Sequence, residues 1–458
     1  MDIAFPDHLS ERLRWAVPPE RHPFEDSFVL YWMHSALRAH ENPALDSAIC
    51  LARELGLPLL VYHGLSEEYP YASDRHHTFL LQGHRDAQRE LADRGIQAAF
   101  HLQRQGNRGS YLRDLTRAAA VVVTEEMPLQ PVTGWLERLA LKSKTPIAVV
   151  DTSCVAPVHS LDRAFERAFE FRERVQSLHA TRISQPYREQ VVDVPGMPVD
   201  AIEELEDFQS LCLQTADLAT LIGECKIDHT VAPVPDTPGG SRAGYARWDA
   251  FREENLRKYP RVRNDAARYD GVSRMSAYLH YGMVSPFRIA REAAEAGADK
   301  YLDELLVWRE LAFHFCYHRH NDIDCFDAIP DWARETLDKH LNDPRENYSW
   351  ETLSRAGTGK RLWDLAQQSL FRHGELHNNL RMTWGKAFLT WIRSPNAALA
   401  TTIDLNHRYA LDGRSPSSYG GILWCYGQFD RPFQPEQPVF GAIRPRFIEE
   451  HAHRLDVD

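Results

Sequence analysis

The sequence predicts an N-terminal α/β region built on a doubly wound parallel sheet, followed by an all-α C-terminal region. Three observations carry this. Short, nearly continuous apolar runs recur through residues 1–151. Amphipathic segments with helical spacing separate them. From about residue 244 onward the helical period persists alone.

The strand candidates are Phe28–Met33, Leu59–His63, Ala98–Leu102, Val121–Thr124 and Ile147–Asp151. Each is apolar almost throughout, as in strands covered by helices on both faces. Ala44–Leu55 and Arg75–Arg94 supply helices between them. No GxGxxG follows the first strand, which argues against a Rossmann-type dinucleotide site, although such sheets place ligands at the carboxyl ends of their strands. Residues 152–243 read as an interdomain linker, because VVDVPGMPVD and HTVAPVPDTPGG are rich in Pro with some Gly. The helical region, 244–458, contains Lys300–His318, Leu362–Arg372, Leu376–Trp391 and Asn396–Ile403. There is no internal repeat and no low-complexity tract.

At roughly 150 residues per domain, a chain this long holds two to three domains. Its 43% hydrophobic and 26% charged residues exclude a disordered chain, a coiled coil and a collagen-like repeat. No apolar run reaches 18 residues, so no transmembrane helix is expected. The opening MDIAFPDHLSERLRW has acids and no apolar core, unlike a secretory signal. Seven cysteines are scattered from Cys50 to Cys425 without a CxxC pair. That argues against a disulfide framework or a zinc site and fits reduced thiols in a cytoplasm. The net charge of −12 rules out nucleic-acid binding by bulk charge. Any DNA contact needs a local basic patch. Most of the eleven Trp are expected in the core.

Four segments carry chemistry, each with a plainer reading beside it. Asp270 to Ser285 places Gly271, Ser273 and Ser276 near a helix start, where hydroxyls and free amides bind phosphate or simply cap the helix. Glu304 and Trp308 are four residues apart, so a carboxylate and an indole share one helix face. This suits a planar hydrogen-bonding ligand, or a Glu at the rim of a core Trp. Gly374 to Lys386 crowds Asn378, Asn379 and Arg381 onto an apolar helix, as a ligand site or a structural network. Asp404 to Trp424 reads as a Gly/Ser/Pro-rich loop, functional or merely connecting.

Together these segments resemble the cryptochrome/photolyase superfamily, most closely its class II cyclobutane-pyrimidine-dimer branch. The residues are Tyr259-Pro with Arg263-Asn-Asp265, Ser273-Arg-Met-Ser-Ala-Tyr-Leu-His280, Leu376-His-Asn-Asn-Leu-Arg-Met382 and Leu405-Asn-His-Arg-Tyr-Ala-Leu-Asp-Gly413. Val29-Leu-Tyr-Trp-Met33 and Glu41-Asn-Pro-Ala-Leu45 resemble the opening of class II enzymes. The likeness covers most of the chain and is weakest over 152–243. Asn378-Asn379 after His377, and Ser415-Pro-Ser-Ser418, depart from the class II pattern.

The resemblance implies FAD within the helical region, active as FADH⁻, and light-driven repair of DNA containing pyrimidine dimers. It implies that Tyr259, Ser273, Met275 and Ser276 hold the pyrophosphate. Asn406 would meet the flavin N5, and Arg381 with Asp412 would form an ion pair beside the ring. Glu304 would hydrogen-bond the thymine carbonyl as a protonated or proton-sharing acid. Trp308 and Trp424 would wall the flipped dimer, with Asn378 and Met382 lining the cavity. Trp363, Trp384 and Trp391 would pass electrons to the flavin, with Tyr348 at the outer end and Trp384 innermost or central. An antenna chromophore, deazaflavin or folate, or none, would occupy the N-terminal sheet. The expected state is a cytoplasmic monomer without a membrane partner. The cations expected to meet DNA phosphates are Arg257, Lys258, Arg414 and Arg431. The alternative is a cryptochrome-like photoreceptor without repair. Against it stand Glu304, Trp308, Asn378, Met382 and Trp424 together, and the short acidic end at Asp458. A dark flavin oxidoreductase is more distant, since no nicotinamide-binding region is visible.

Overall fold

The computed structural model describes residues 4–19, 28–202, 205 and 208–455. The first three residues of the opening segment and the acidic end at Asp458 lie outside them. The chain divides into two compact units. One comprises Met1–Asp162, His179–Trp248 and Met275–Glu292; the other comprises Arg163–Leu178, Asp249–Arg274 and Ala293–Asp458.

The first unit is built on six strands: β1 Leu13–Val17, β2 Val29–Met33, β3 Leu59–Leu65, β4 Ala98–Leu102, β5 Val121–Glu125 and β6 Ile147–Val150. Their order is β1-β6-β5-β2-β3-β4. β2 is central, with Val29 opposite Leu59 on one side and Val121 on the other. Every residue of β2, β5 and β6 is buried, which is why these strands read as unbroken apolar runs. Helices α1 (Pro43–Leu55), α2 (Asp74–Asp93), α3 (Tyr111–Ala118) and α4 (Val132–Lys142) alternate with the parallel strands. α1 begins where Asn42 accepts from the Ala44 and Leu45 amides, with Pro43 in the first helical position. β1 is the one strand the sequence pattern did not mark. It pairs antiparallel with β6 at the sheet edge and is half-buried throughout. Arg14 interrupts its apolar run and pairs with Glu126 at 2.6 Å.

Residues 152–243 contain a 16-residue helix, Ala168–Ile183. Both Pro-rich stretches beyond it are anchored by hydrogen bonds within the first unit. Leu59 donates to Pro195 O at 2.9 Å and Met197 donates back to Leu59 O at 3.0 Å, laying one stretch against β3. In the other, Arg75 N donates to Val231 O and Gly239 N to Gln82 Oε1. A Cβ on Gly239 would fall 2.0 Å from Phe79 O, so only glycine fits against α2 there.

The second unit is helical: α5 (Arg309–Arg319), α6 (Arg361–His373), α7 (Asn378–Trp391), α8 (Pro395–Tyr409) and α9 (Pro416–Cys425) are its principal helices. The stretch Asp404 to Trp424 is not a long loop. α8 runs to Tyr409, α9 starts at Pro416, and only 410–415 connect them. Ser415 caps α9 by accepting from Ser418 N at 3.0 Å, and Pro416 takes the first helical position. Gly420 lets α9 approach α5: a Cβ there would lie 2.6 Å from Ala312 Cβ. Lys300–His318 is likewise not one regular helix. Asp303–Trp308 forms a π-helical turn ahead of α5, with Arg309 N bonded to Glu304 O. No described helix is long and apolar enough to cross a membrane.

Candidate functional site

The π-helical turn sets the first part of the site. Such turns widen the helix and recur at functional positions. Here the turn holds Glu304 at its start and Trp308, 36% exposed, at its end. The Glu304 carboxylate is not isolated. Arg263 Nη2 lies 2.6 Å away and Lys300 Nζ 2.7 Å away. Lys300 also reaches Asp303 at 2.8 Å, and Arg172 pairs with Asp303 at 2.6 Å. Arg263 and Lys300 had no assigned role in the sequence reading. The Lys300–Glu304 spacing of four residues was the available signal.

Tyr259 opens a short helix behind this network and is buried. Its ring packs edge-on to Tyr301 at 5.3 Å, with the Arg263 guanidinium 5.7 Å from its centroid. Burial, and then the Glu304 charge, push its phenol above the usual range. Ser273 accepts from Tyr301 Oη at 3.2 Å. Met275 and Ser276 fall in the first unit, whereas Tyr259 and Ser273 fall in the second. Neither serine caps the short helix Ser276–His280: Met275 occupies the cap position and no side chain bonds there.

α7, α8 and α9 supply the second part. His377 caps α7 through Nδ1, which accepts from Asn379 N at 3.2 Å. Asn378 is exposed on the first turn. Arg381 reaches Asp412 in a two-pronged pair, Nη1 to Oδ2 at 3.0 Å and Nη2 to Oδ1 at 2.9 Å. Only 11% and 12% of the two side chains are exposed. Asn406, near the end of α8, is fully buried. Its Nδ2 donates to Ser418 Oγ at 2.7 Å, but its Oδ1 has no partner among the described residues. Gly413 lets the chain fold back over this region: a Cβ there would lie 3.0 Å from Asn406 O. The connection therefore brings the residue beside Asp412 onto the end of α8.

Met382 is buried and Trp424 half-buried. Met382 Cε lies 3.3 Å from where a Gly421 Cβ would stand, so Met382 packs on the helix that bears Trp424. Trp424 is held by two cations to which the sequence assigns no role. Lys386 Nζ sits 4.6 Å and the Arg446 guanidinium 5.7 Å from its ring centroid. Lys386 is fully buried and donates to Cys425 O at 3.0 Å. Burial pulls its ammonium down to about 8. Arg446 in turn bonds Asn379 O at 2.9 Å.

A line of aromatic rings runs outward from α7. Trp384 and Trp363 are parallel with centroids 6.3 Å apart. Trp363 meets Trp391 edge-on at 4.9 Å, and Trp391 meets Tyr348 edge-on at 5.2 Å. Trp384 and Trp391 share one face of α7, as seven-residue spacing predicts. Trp363, from α6, fills the position between them. The three Trp are buried and Tyr348 is half-buried.

Of the cations expected to face phosphates, Arg257, Lys258 and Arg431 are exposed. Arg414 is not available at the surface. It is only 5% exposed, with a backbone φ of 67°, and its amide donates to His407 Nδ1 at 3.3 Å. The tight 410–415 connection turns it inward.

Comparison with known proteins gives a consistent result. The DNA photolyase family model matches residues 29–186. A deoxyribodipyrimidine photo-lyase of Methanothermobacter thermautotrophicus is 32% identical over 440 residues, covering 95% of this chain and 94% of that protein. One from Oryza sativa subsp. japonica is also 32% identical, covering 94% of this chain and 86% of its own length. A crystal structure of an archaeal photolyase from Sulfolobus tokodaii with two FAD molecules superposes with a TM-score of 0.64 at 16% identity, over 90% of this chain and 85% of that one.

Proposed function

This chain belongs to the DNA photolyase family, and from that membership we propose that it is a light-driven lyase acting on cyclobutane pyrimidine dimers in DNA. The observation that carries the reading is Asn406. A fully buried amide with one satisfied end and one unpartnered carbonyl oxygen is a costly arrangement unless a ligand completes it. The buried Arg381 Nε is likewise without a partner among the described residues. A flavin ring edge, which offers both donors and acceptors, fits these groups. FAD, when bound, reduced and excited by blue light, supplies the electron that opens the cyclobutane ring.

The chain's own residues bind and orient. Within the second unit, the hydroxyls of Tyr259 and Ser273 are the donors offered to the pyrophosphate. Asn406 fixes the flavin N5 edge, and the Arg381–Asp412 pair sets the charge beside the ring. Trp308 and Trp424 present flat apolar faces to the extruded dimer, and Lys386 with Arg446 orients the second. Met382 and Asn378 complete the lining. Glu304, on leaving Arg263 and Lys300 and taking a proton from solvent, donates a hydrogen bond to a thymine carbonyl, which stabilises the charge gained there. The deciding experiment is a blue-light assay on ultraviolet-irradiated oligothymidine with the FAD-reduced protein. Loss of dimers is expected. Unchanged dimers would overturn repair in favour of a photoreceptor.

Two further results are expected. Glu304→Ala retains FAD and lowers the repair quantum yield, since one charge-assisted hydrogen bond contributes about 1.5–3 kcal/mol. A yield equal to wild type would remove Glu304 from the mechanism. DNA affinity falls linearly in log–log form as salt rises, despite the net charge of −12, because Arg257, Lys258 and Arg431 displace counterions from phosphates. Neutralising these three should flatten the slope by about 2 to 3. A salt-independent affinity in the wild type would show that no such patch exists.

A further inference from the structure

The aromatic line ends on a carboxylate. Tyr348 Oη donates to Glu346 Oε2 at 2.9 Å, with Thr358 O a competing acceptor at 3.0 Å. Glu346 Oε1 pairs with Lys360 Nζ at 3.0 Å, and 51% of the Glu346 side chain is exposed. The inner rings differ in kind. The Trp384 indole N–H donates to Gln367 Oε1 at 2.9 Å, and that of Trp363 to Trp384 O at 3.0 Å. Both acceptors are buried amide oxygens, far too weakly basic to take a proton.

We propose that Glu346 is the proton acceptor for Tyr348 when light oxidises the aromatic line, so that the positive charge ends near the surface as a neutral tyrosyl radical. The inference rests on the photolyase reading and on the electron-transfer role that the family resemblance implies for Trp384, Trp363 and Trp391. The ultimate oxidant is the light-excited oxidised flavin, acting through those rings. One electron leaves Tyr348 for the radical cation of Trp391 and restores its neutral indole. The phenol O–H bond breaks, and its proton forms a new O–H bond on Glu346 Oε2. The resulting carboxylic acid exchanges with water because it is exposed.

The consequence is direction. In the buried rings the charge moves without a proton leaving, so its return needs no proton either. At Tyr348 the proton departs with the electron, and the return path needs both. The surroundings favour this. The ion pair with Lys360 at Oε1 keeps Glu346 a carboxylate and leaves Oε2 facing Tyr348, and the hydrogen bonds from Lys360 and then from Tyr348 hold it below the usual carboxylate range. Other charges at this end are Asp364, which accepts from Thr358 Oγ1 at 2.7 Å, and Glu449, whose field reaches Lys360. Neither accepts a hydrogen bond from Tyr348, whose acceptors are Glu346 Oε2 and Thr358 O, so Glu346 is the carboxylate placed to take the phenol proton.

The test is flash photolysis of the oxidised FAD-loaded protein, following the tyrosyl radical by its optical band and by electron paramagnetic resonance. Glu346→Gln should slow tyrosyl formation by about a hundredfold, the lower end of general-base contributions. The Trp radical cation should persist correspondingly longer. In the apoprotein, Glu346→Gln should lower the phenol pKa of Tyr348, read by ultraviolet difference titration against Tyr348→Phe, because the neighbouring negative charge is gone. Equal rates of tyrosyl formation in Glu346→Gln and wild type would overturn the proposal, as would the absence of any tyrosyl signal in wild type. Trp384→Phe separates this from the reading beneath it. If the signal disappears in Trp384→Phe but is unchanged in Glu346→Gln, only the proton-acceptor role fails. If it survives in Trp384→Phe, the electron line itself fails.

Discussion

Trp384→Phe is expected to abolish accumulation of reduced flavin under blue light with an external thiol, while chemically prereduced enzyme still repairs dimers. The geometry explains why one ring carries so large an effect. Electron transfer weakens exponentially with distance, so a long path is practical only as short steps between oxidisable rings. Steps of 6.3, 4.9 and 5.2 Å between centroids connect Trp384, Trp363, Trp391 and Tyr348. Phenylalanine is much harder to oxidise than tryptophan, so the substitution removes the first step. It also leaves Gln367 Oε1 without its donor, which costs roughly 1–3 kcal/mol and should appear as a modest fall in thermal midpoint. Phe388→Leu supplies the control. Phe388 packs edge-on against both Trp384 at 4.9 Å and Trp363 at 5.7 Å, yet it is not a link. That variant should lose stability and keep photoreduction. Wild-type photoreduction in Trp384→Phe would reduce the line to core packing.

The parallel sheet was legible because burial on both faces leaves a local mark. β2, β5 and β6 have every residue buried, and each reads as an apolar run. β1 left no such mark, since an edge strand half open to solvent tolerates Arg14. The π-helical turn at Asp303–Trp308 was hidden for another reason. Apolar spacing over six residues does not distinguish a π turn from an α turn, and the widening is a property of backbone packing. α9 reads as loop in the sequence because its small residues look like turn formers. Gly420 is there for close approach to Ala312, and Ser415 with Pro416 marks a helix start rather than a break.

The site was legible where residues act within one segment and obscure where they meet across segments. The i, i+7 spacing put Trp384 and Trp391 on one face of α7, but nothing local indicated that Trp363 inserts between them. Lys300 is a local partner of Glu304, but other cations come from elements distant in sequence: Arg263 lies 41 residues before Glu304, and Arg446 lies 22 after Trp424. Arg414 shows the converse. An Arg in a Gly/Ser/Pro-rich stretch reads as a surface charge, and only the tight turn between α8 and α9 buries it.

Arg381→Ala or Asp412→Ala, each alone, is expected to destabilise the protein by about 3 kcal/mol, the low end for breaking a buried ion pair. Nearly nine-tenths of each side chain is buried, so water replaces little of the lost partner. Each single change strands a charge that had two short hydrogen bonds. The pair itself is another matter. Removing two charges from water costs nearly as much as their attraction returns, so Arg381→Met with Asp412→Leu should regain most of the lost stability. Urea unfolding of the apoproteins measures this without reference to activity. If the singles match wild type, the pair is solvated and the burial argument fails. If the double variant folds as well as wild type, the pair contributes little to the fold. What it then contributes is a fixed balance of charge next to Asn406, and the double variant should bind FAD with a shifted reduction potential. A double variant that folds, binds FAD and keeps the wild-type potential would detach the pair from the flavin altogether.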